Sequence, residues 1–296
     1  MHTSLIRSTR ATVLGALLAA IAMALSLGAA VAGAATPDAW SSRTGLDSAQ
    51  YQAEYDAMHA KGYMLQHVSG YTVGGAPSFA GVWTHGTGTE TIGRHNRTQA
   101  EFQADFNSFA AAGYVPIEID GYDVGGQPRY AAVFEKSTMP TVARHGISPD
   151  EFKTTFYEQK AQGYSLRYVS EFTVAGTPKV AAVWQKDGEE SVGLLGHSQA
   201  EFQAKFDELK AEGFQPLDID GYDVGGQARY AAVFKKRSNA FVARHGVPAG
   251  DYQSVFDSTV YAGGLFGKAP TGFRPIAVNG FTAGGSQLFA AVFNKD

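Results

Sequence analysis

One column of aromatic residues constrains this chain more than any other feature. Tyr51, Phe102, Phe152, Phe202 and Tyr252 recur at spacings of 51, 50, 50 and 50 residues. A second column holds Gly62-Tyr63, Gly113-Tyr114, Gly163-Tyr164, Gly213-Phe214 and, after a gap, Gly272-Phe273. A third closes each unit with small-small-Val-aromatic, as in Ala80-Gly81-Val82-Trp83 and Ala131-Ala132-Val133-Phe134. Three columns in register define five tandem units. A unit of this length cannot bury its apolar face alone, so neighbours must cover it.

Within a unit, apolar residues at Phe202, Phe206 and Leu209 fall on one helical face. Asp47 with Gln50, Thr98 with Glu101, Ser148 with Glu151 and Ser198 with Glu201 predict capping boxes, and Gly62, Gly113, Gly163 and Gly213 predict left-handed C-terminal stops. An extended run then leads through Asp223-Val224-Gly225-Gly226 into Ala231-Ala232-Val233-Phe234, which predicts a hairpin. The second hairpin strand is apolar on consecutive residues, so it is expected to be buried on both faces and central in its sheet. A further strand such as Phe241–Gly246 precedes each helix.

The fold class is therefore an α+β repeat protein of five strand-helix-hairpin units, about 39–83, 90–134, 140–184, 190–234 and 240–293. Stacked repeats expose sheet edges at their ends, and neither end unit carries an added polar capping helix. This favours a closed propeller-like ring over an open solenoid or two packed lobes. A second period overlays the first. Units two and four share Ile-Asp-Gly-Tyr-Asp-Val-Gly-Gly, whereas one and three share Val-Ser-x-aromatic-Thr-Val, an alternation that fits an odd ring badly.

The N-terminus carries Arg7 and Arg10, an uncharged apolar run to about Leu27 and a small-residue stretch to Ala35. That pattern predicts a signal peptide over residues 1–34, a repeat domain over 35–296 and a secreted, extracellular protein. There is no cysteine, so stability must come from buried apolar surface. Losing the leader moves the formal charge from −4 to −6. That argues against nucleic acid as a partner, and no integral membrane segment is expected after cleavage.

The capped helix, Gly-Tyr, Gly-Tyr-x-Val-Gly-Gly, Arg-Tyr-Ala-Ala-Val-Phe and Arg-His-Gly columns resemble the bacterial tandem repeat also found ahead of β-lactamase-like domains in polyglycine hydrolases. The resemblance covers essentially the whole chain after the leader. It implies a repeat scaffold and little activity, because chemistry in those enzymes is assigned to the other domain. The Ser-x-x-Lys motif of that domain is missing here, as are Gly-x-Ser-x-Gly, His-Glu-x-x-His and phosphate-loop motifs.

Three groups of residues could still carry function. Arg94-His95, Arg144-His145 and Arg244-His245 are repeat-equivalent, and convergent imidazoles could bind a ligand or act as bases. Thr44 and Leu195 interrupt that column, and a strand-to-helix turn with locally satisfied side chains is the plainer reading. Glu118, Asp120 and Asp123, with Asp218, Asp220 and Asp223, could hold calcium, but the alternation Ile-Glu-Ile-Asp reads more simply as a strand with one solvated face. The aromatic column Tyr71, Tyr122, Phe172, Tyr222 and Phe281 suits glycan stacking or, more simply, core packing. Finally, unit five inserts residues 264–272, where Leu265, Phe266 and Lys268 are candidate contacts, or else cover the last sheet edge. The expectation is a non-catalytic recognition or scaffold module for an extracellular glycan, peptide or protein, with no cofactor, no catalytic residue and no metal. The alternatives are a hydrolase or hydrolase-associated protein with an unfamiliar site, and a purely structural extracellular protein.

Overall fold

The computed structural model describes residues 39–86, 88–262 and 269–295. The expected leader and the loop residues Leu265, Phe266 and Lys268 lie outside the described residues.

Unit one runs β1 (Trp40–Leu46), α1 (Ser48–Ala60), β2 (Tyr63–Val73) and β3 (Ala76–His85). Unit two runs β4 (Thr91–Thr98), α2 (Gln99–Ala111), β5 (Tyr114–Val124) and β6 (Gln127–Lys136). Unit three is β7 (Thr141–Ile147), α3 (Pro149–Ala161), β8 (Ser165–Val174) and β9 (Thr177–Gln185). Unit four is β10 (Ser191–His197), α4 (Gln199–Ala211), β11 (Phe214–Val224) and β12 (Gln227–Lys236). Unit five is β13 (Phe241–Pro248), α5 (Ala249–Val260), the short pair β14 (Tyr261–Ala262) and β15 (Ala269–Pro270), then β16 (Phe273–Ala283) and β17 (Ser286–Lys295).

The leading strand of every unit pairs antiparallel with the second hairpin strand, giving sheet orders β1-β3-β2, β4-β6-β5, β7-β9-β8, β10-β12-β11 and β13-β17-β16. The Ala-Ala-Val-Phe strand is thus central, and Ala131, Ala132, Val133 and Phe134 are fully buried, as expected of a strand covered on both faces. All four capping boxes form, for instance with Glu101 N–H donating to Thr98 Oγ1 while Thr98 N–H donates to Glu101 Oε2. The α5 helix has Pro248 at its N-cap position and so no side-chain cap. Each helix is 12 or 13 residues long, too short to persist alone, and is pinned by one aromatic of the founding column. Phe102 and Phe202 are fully buried, and Tyr51, Phe152 and Tyr252 nearly so.

The first hairpin strands β2, β5, β8 and β11 pack side by side in chain order, and β16 packs against both β11 and β2. One contact repeats at these junctions. A Cβ added to Gly70 would lie 2.2 Å from the Tyr122 ring, one on Gly121 2.1 Å from Phe172, one on Gly221 2.4 Å from Phe281 and one on Gly280 2.4 Å from Tyr71. Each glycine therefore receives the aromatic ring of the following unit, and unit five receives the ring of unit one. Here glycine serves close approach. Hydrogen bonds follow the same order. Gly70 N–H donates to Asp120 Oδ2 (2.5 Å), Gly121 N–H to Ser170 Oγ (3.2 Å), Glu171 N–H to Asp220 Oδ2 (3.2 Å) and Gly280 N–H to Ser69 Oγ (3.2 Å). Between units four and five, Asn279 Nδ2 donates to Ile219 O (3.0 Å). No helix among the described residues is long and apolar enough to cross a membrane.

Candidate functional site

The Arg-His turns sit at β-bulges, with register shifts between Arg94 and Arg97, after Arg144 and after Arg244. A bulge re-aims adjacent side chains, and here it divides the pair. Arginine turns to its own strand or helix: Arg144 Nη1 and Arg244 Nη1 each donate to the preceding carbonyl at 2.8 Å, and Arg94 stacks on Phe109 with its carbon 4.6 Å from the ring centre. Histidine turns to the preceding unit. The His145 ring lies 4.8 Å from Phe102 and 5.1 Å from Tyr130, the His245 ring 4.9 Å from Phe202 and 5.1 Å from Tyr230, and the His95 ring 4.8 Å from Tyr51. His145 Nε2 donates to Gln103 Oε1 (3.2 Å) and His245 Nε2 to Gln203 Oε1 (3.0 Å). Burial pushes the pKa of all three histidines down, so they are neutral at pH 7. The three imidazoles therefore lie in three separate seams and are not brought together.

What fills that column decides what each seam becomes. At the junction of units three and four, Leu195 takes the place and packs in a cluster with Phe152 and Phe156. At the junction of units five and one, the residue is Thr44, and a cavity of about 790 Å³ opens there. The matching cavity between units one and two, beside His95, is about 240 Å³. The larger cavity is walled by Trp40, Tyr63, Tyr252, Phe256 and Tyr261, with Arg43, Gln253 and Asp257 at its edge. Trp40 meets Phe256 edge-on at 5.8 Å. The Tyr252 hydroxyl is buried without a hydrogen-bond partner.

A second cavity, of about 220 Å³, lies where the five first hairpin strands meet, and every unit contributes to its wall. Here the solvated-face reading of the carboxylates is corrected. Glu118, Asp120, Asp218 and Asp220 are at most 5% exposed, because the face opposite the sheet core meets the neighbouring units' strands and not water. A register shift precedes Glu118, and others occur at the equivalent His67, Tyr168, Asp218 and Ala277. Asp123 and Asp223 stand at the hairpin turns, their Oδ2 atoms accepting from Gly126 N–H (3.2 Å) and Gly226 N–H (3.1 Å). The aromatic column from Tyr71 to Phe281 is core, buried in every unit.

The electrostatics of this centre are strongly coupled. His67 Nδ1 donates to Glu118 Oε2 (3.0 Å) and His67 Nε2 to the Val278 carbonyl (3.2 Å), while Val68 N–H donates to Glu118 Oε1 (2.8 Å). Burial opposes charge on His67, but Glu118, Asp218 and the Val278 carbonyl together outweigh it and raise its pKa to about 9. Burial pushes Asp218 up to about 6 against the pull of His67. Burial and the nearby Glu118 raise Asp120 to about 8 despite the Gly70 N–H, and burial beside Asp120 holds Asp220 well above the usual carboxylate range. Among the described residues no three His, Asp or Glu side chains are grouped to hold a metal. Two residues of this centre, His67 and Asn279, belong to no motif among the sequence candidates. The signals that could have found them are two varied, mostly polar columns, His67, Glu118, Tyr168, Asp218, Ala277 and Ser69, Asp120, Ser170, Asp220, Asn279, which flank the uniformly apolar Val68, Ile119, Val169, Ile219 and Val278.

The fold and these sites define a tandem-repeat protein in which neighbouring α+β units share their surfaces. A family model described as polyglycine hydrolase-like, structural repeat, matches residues 37–85, 92–137, 138–187, 194–237, 238–263 and 269–296. The chain belongs to that family. The last two matches are the two parts of unit five, divided at its insertion. No curated protein matches the chain.

Proposed function

We propose that this chain is a secreted, non-catalytic recognition module whose five units close into a propeller-like ring, and that it takes an extracellular glycan in the groove between units five and one. The observation that carries this reading is the cavity beside Thr44. Its volume falls in the range of ligand pockets. Its wall pairs aromatic faces, which stack on sugar C–H surfaces, with Arg43, Gln253 and Asp257, whose planar groups can bridge neighbouring hydroxyls. Closure is supported by the contacts of β16 with β2 and by the Gly280 to Ser69 hydrogen bond. Secretion rests on the leader pattern of residues 1–34. Membership of a structural-repeat family supports a binding role over a catalytic one.

The test is a glycan array probed with the purified protein and its Thr44→His variant, which carries the imidazole found in three other units. Saturable retention by the wild-type protein, reduced at least tenfold in the variant, supports the reading. Release of cleaved product sinks it. Retention only of peptides or proteins would replace the glycan with another class of ligand.

A further inference from the structure

The central cavity carries a second inference, independent of the groove. Its polar groups divide into satisfied and unsatisfied ones. Glu118 is fully engaged, with one oxygen on His67 and the other on the Val68 N–H. Asp218 is half engaged. Its Oδ1 accepts from Asn279 Nδ2 (2.5 Å), while its Oδ2, in a side chain from a residue only 3% exposed, has no partner. The Tyr168 hydroxyl, equally buried, is also without a partner. Both residues wall the cavity.

The same wall holds Arg167, Arg237 and Arg274. Arg237 spends its charge on Glu189 through two hydrogen bonds of 2.9 and 2.8 Å. Arg167 interacts with Glu135, Glu118 and Asp187 through space, not as hydrogen-bonded partners, and burial lowers its pKa. One pocket thus offers an unmatched anionic acceptor and, in the half-buried Arg167, a guanidinium with no hydrogen-bonded carboxylate. A simple anion would leave Asp218 Oδ2 bare beside added negative charge. A bare cation would satisfy Asp218 but be repelled by the arginines. A ligand carrying both charges satisfies both, since buried charges are tolerated when paired and hydrogen-bonded.

We propose that the central cavity binds a small zwitterion of the α-amino acid class, its ammonium on Asp218 Oδ2 with the Tyr168 hydroxyl beside it and its carboxylate on Arg167. The size of the space, about 220 Å³, restricts the ligand to a few heavy atoms.

The experiment titrates the purified protein near pH 7 with L-alanine, acetate and methylammonium by calorimetry and NMR. Saturable L-alanine binding is expected, with each half-ligand at least tenfold weaker. Asp218→Asn keeps the acceptor for Asn279 but removes the charge, and should weaken L-alanine at least tenfold while leaving the circular dichroism spectrum unchanged. Should that variant not fold, Arg167→Gln is expected to give the same loss. Thr44→His should leave L-alanine binding intact, so failure of the groove reading and failure of this one are distinguishable. Absence of saturable L-alanine binding overturns the proposal, as does acetate binding as tightly as L-alanine with no effect of either charge-removing variant.

Discussion

The junction between units four and five and the junction between units five and one use one backbone plan with opposite side-chain choices. At the first, the outer seam is closed by neutral His245 between Phe202 and Tyr230, and the inner contact is the neutral amide of Asn279 on Asp218 and Ile219. At the second, the outer seam is left open at Thr44, and the inner contact is charged His67 on the Val278 carbonyl. The repeat fixes geometry, while one or two residues per junction decide whether that junction is packed core or an open cavity. The glycine-aromatic contact is common to both, with Gly221 under Phe281 and Gly280 under Tyr71.

That shared contact should produce the largest effects. Gly221→Ala and Gly280→Ala each force a methyl group into a ring, and each should cost about 3 kcal/mol in chemical denaturation. A small loss at Gly280 alone would show that the five-one junction contributes little.

Next in size is the response to pH, in which the two kinds of histidine pull in opposite directions. His67 has a folded pKa raised to about 9 from an unfolded value near 6.5. Its stabilisation is complete below about pH 6.5 and is lost as pH rises through 9. The raised carboxyls Asp120 and Asp220 act in the same sense. His245 is depressed, so its contribution is present above about pH 6.5 and lost as pH falls below its folded value. Melting followed from pH 6.5 to 9 should show a decline on the order of 2 kcal/mol, and His67→Gln should flatten it. An unchanged slope in that variant would assign the decline to the carboxyls.

Exchanging the outer residues should close one seam and open the other. His245→Thr should cost about 2 kcal/mol, and Thr44→His should stabilise by up to about 1 kcal/mol through ring contacts with Tyr252. Equal and small effects at both positions would mean that the seams do not differ as described. The smallest effect concerns helix starts. Ser198→Ala in α4 should cost about 1 kcal/mol, whereas Pro248→Ala in α5, where no side-chain cap exists, should cost less.

Much of this was legible in the sequence. The repeat, the capping boxes and the central Ala-Ala-Val-Phe strand are local patterns, set by neighbours within a few residues. The central cavity was not. Ile-Glu-Ile-Asp reads the same whether its polar face meets water or other strands, and those strands arrive from far along the chain. His67 meets Glu118 51 residues away and Val278 211 residues away. Thr44 was visible as a break in the histidine column, but the consequence of that break depends on α5 packing beside β1, which no local pattern encodes.

The most direct test of the account is amide exchange at two matched glycines. Gly121 N–H donates to Ser170 Oγ and Gly280 N–H to Ser69 Oγ, both at 3.2 Å, and in each case the acceptor belongs to the following unit. Closure of unit five on unit one predicts comparable protection at the two sites. Strong protection at Gly121 with near-intrinsic exchange at Gly280 would contradict it.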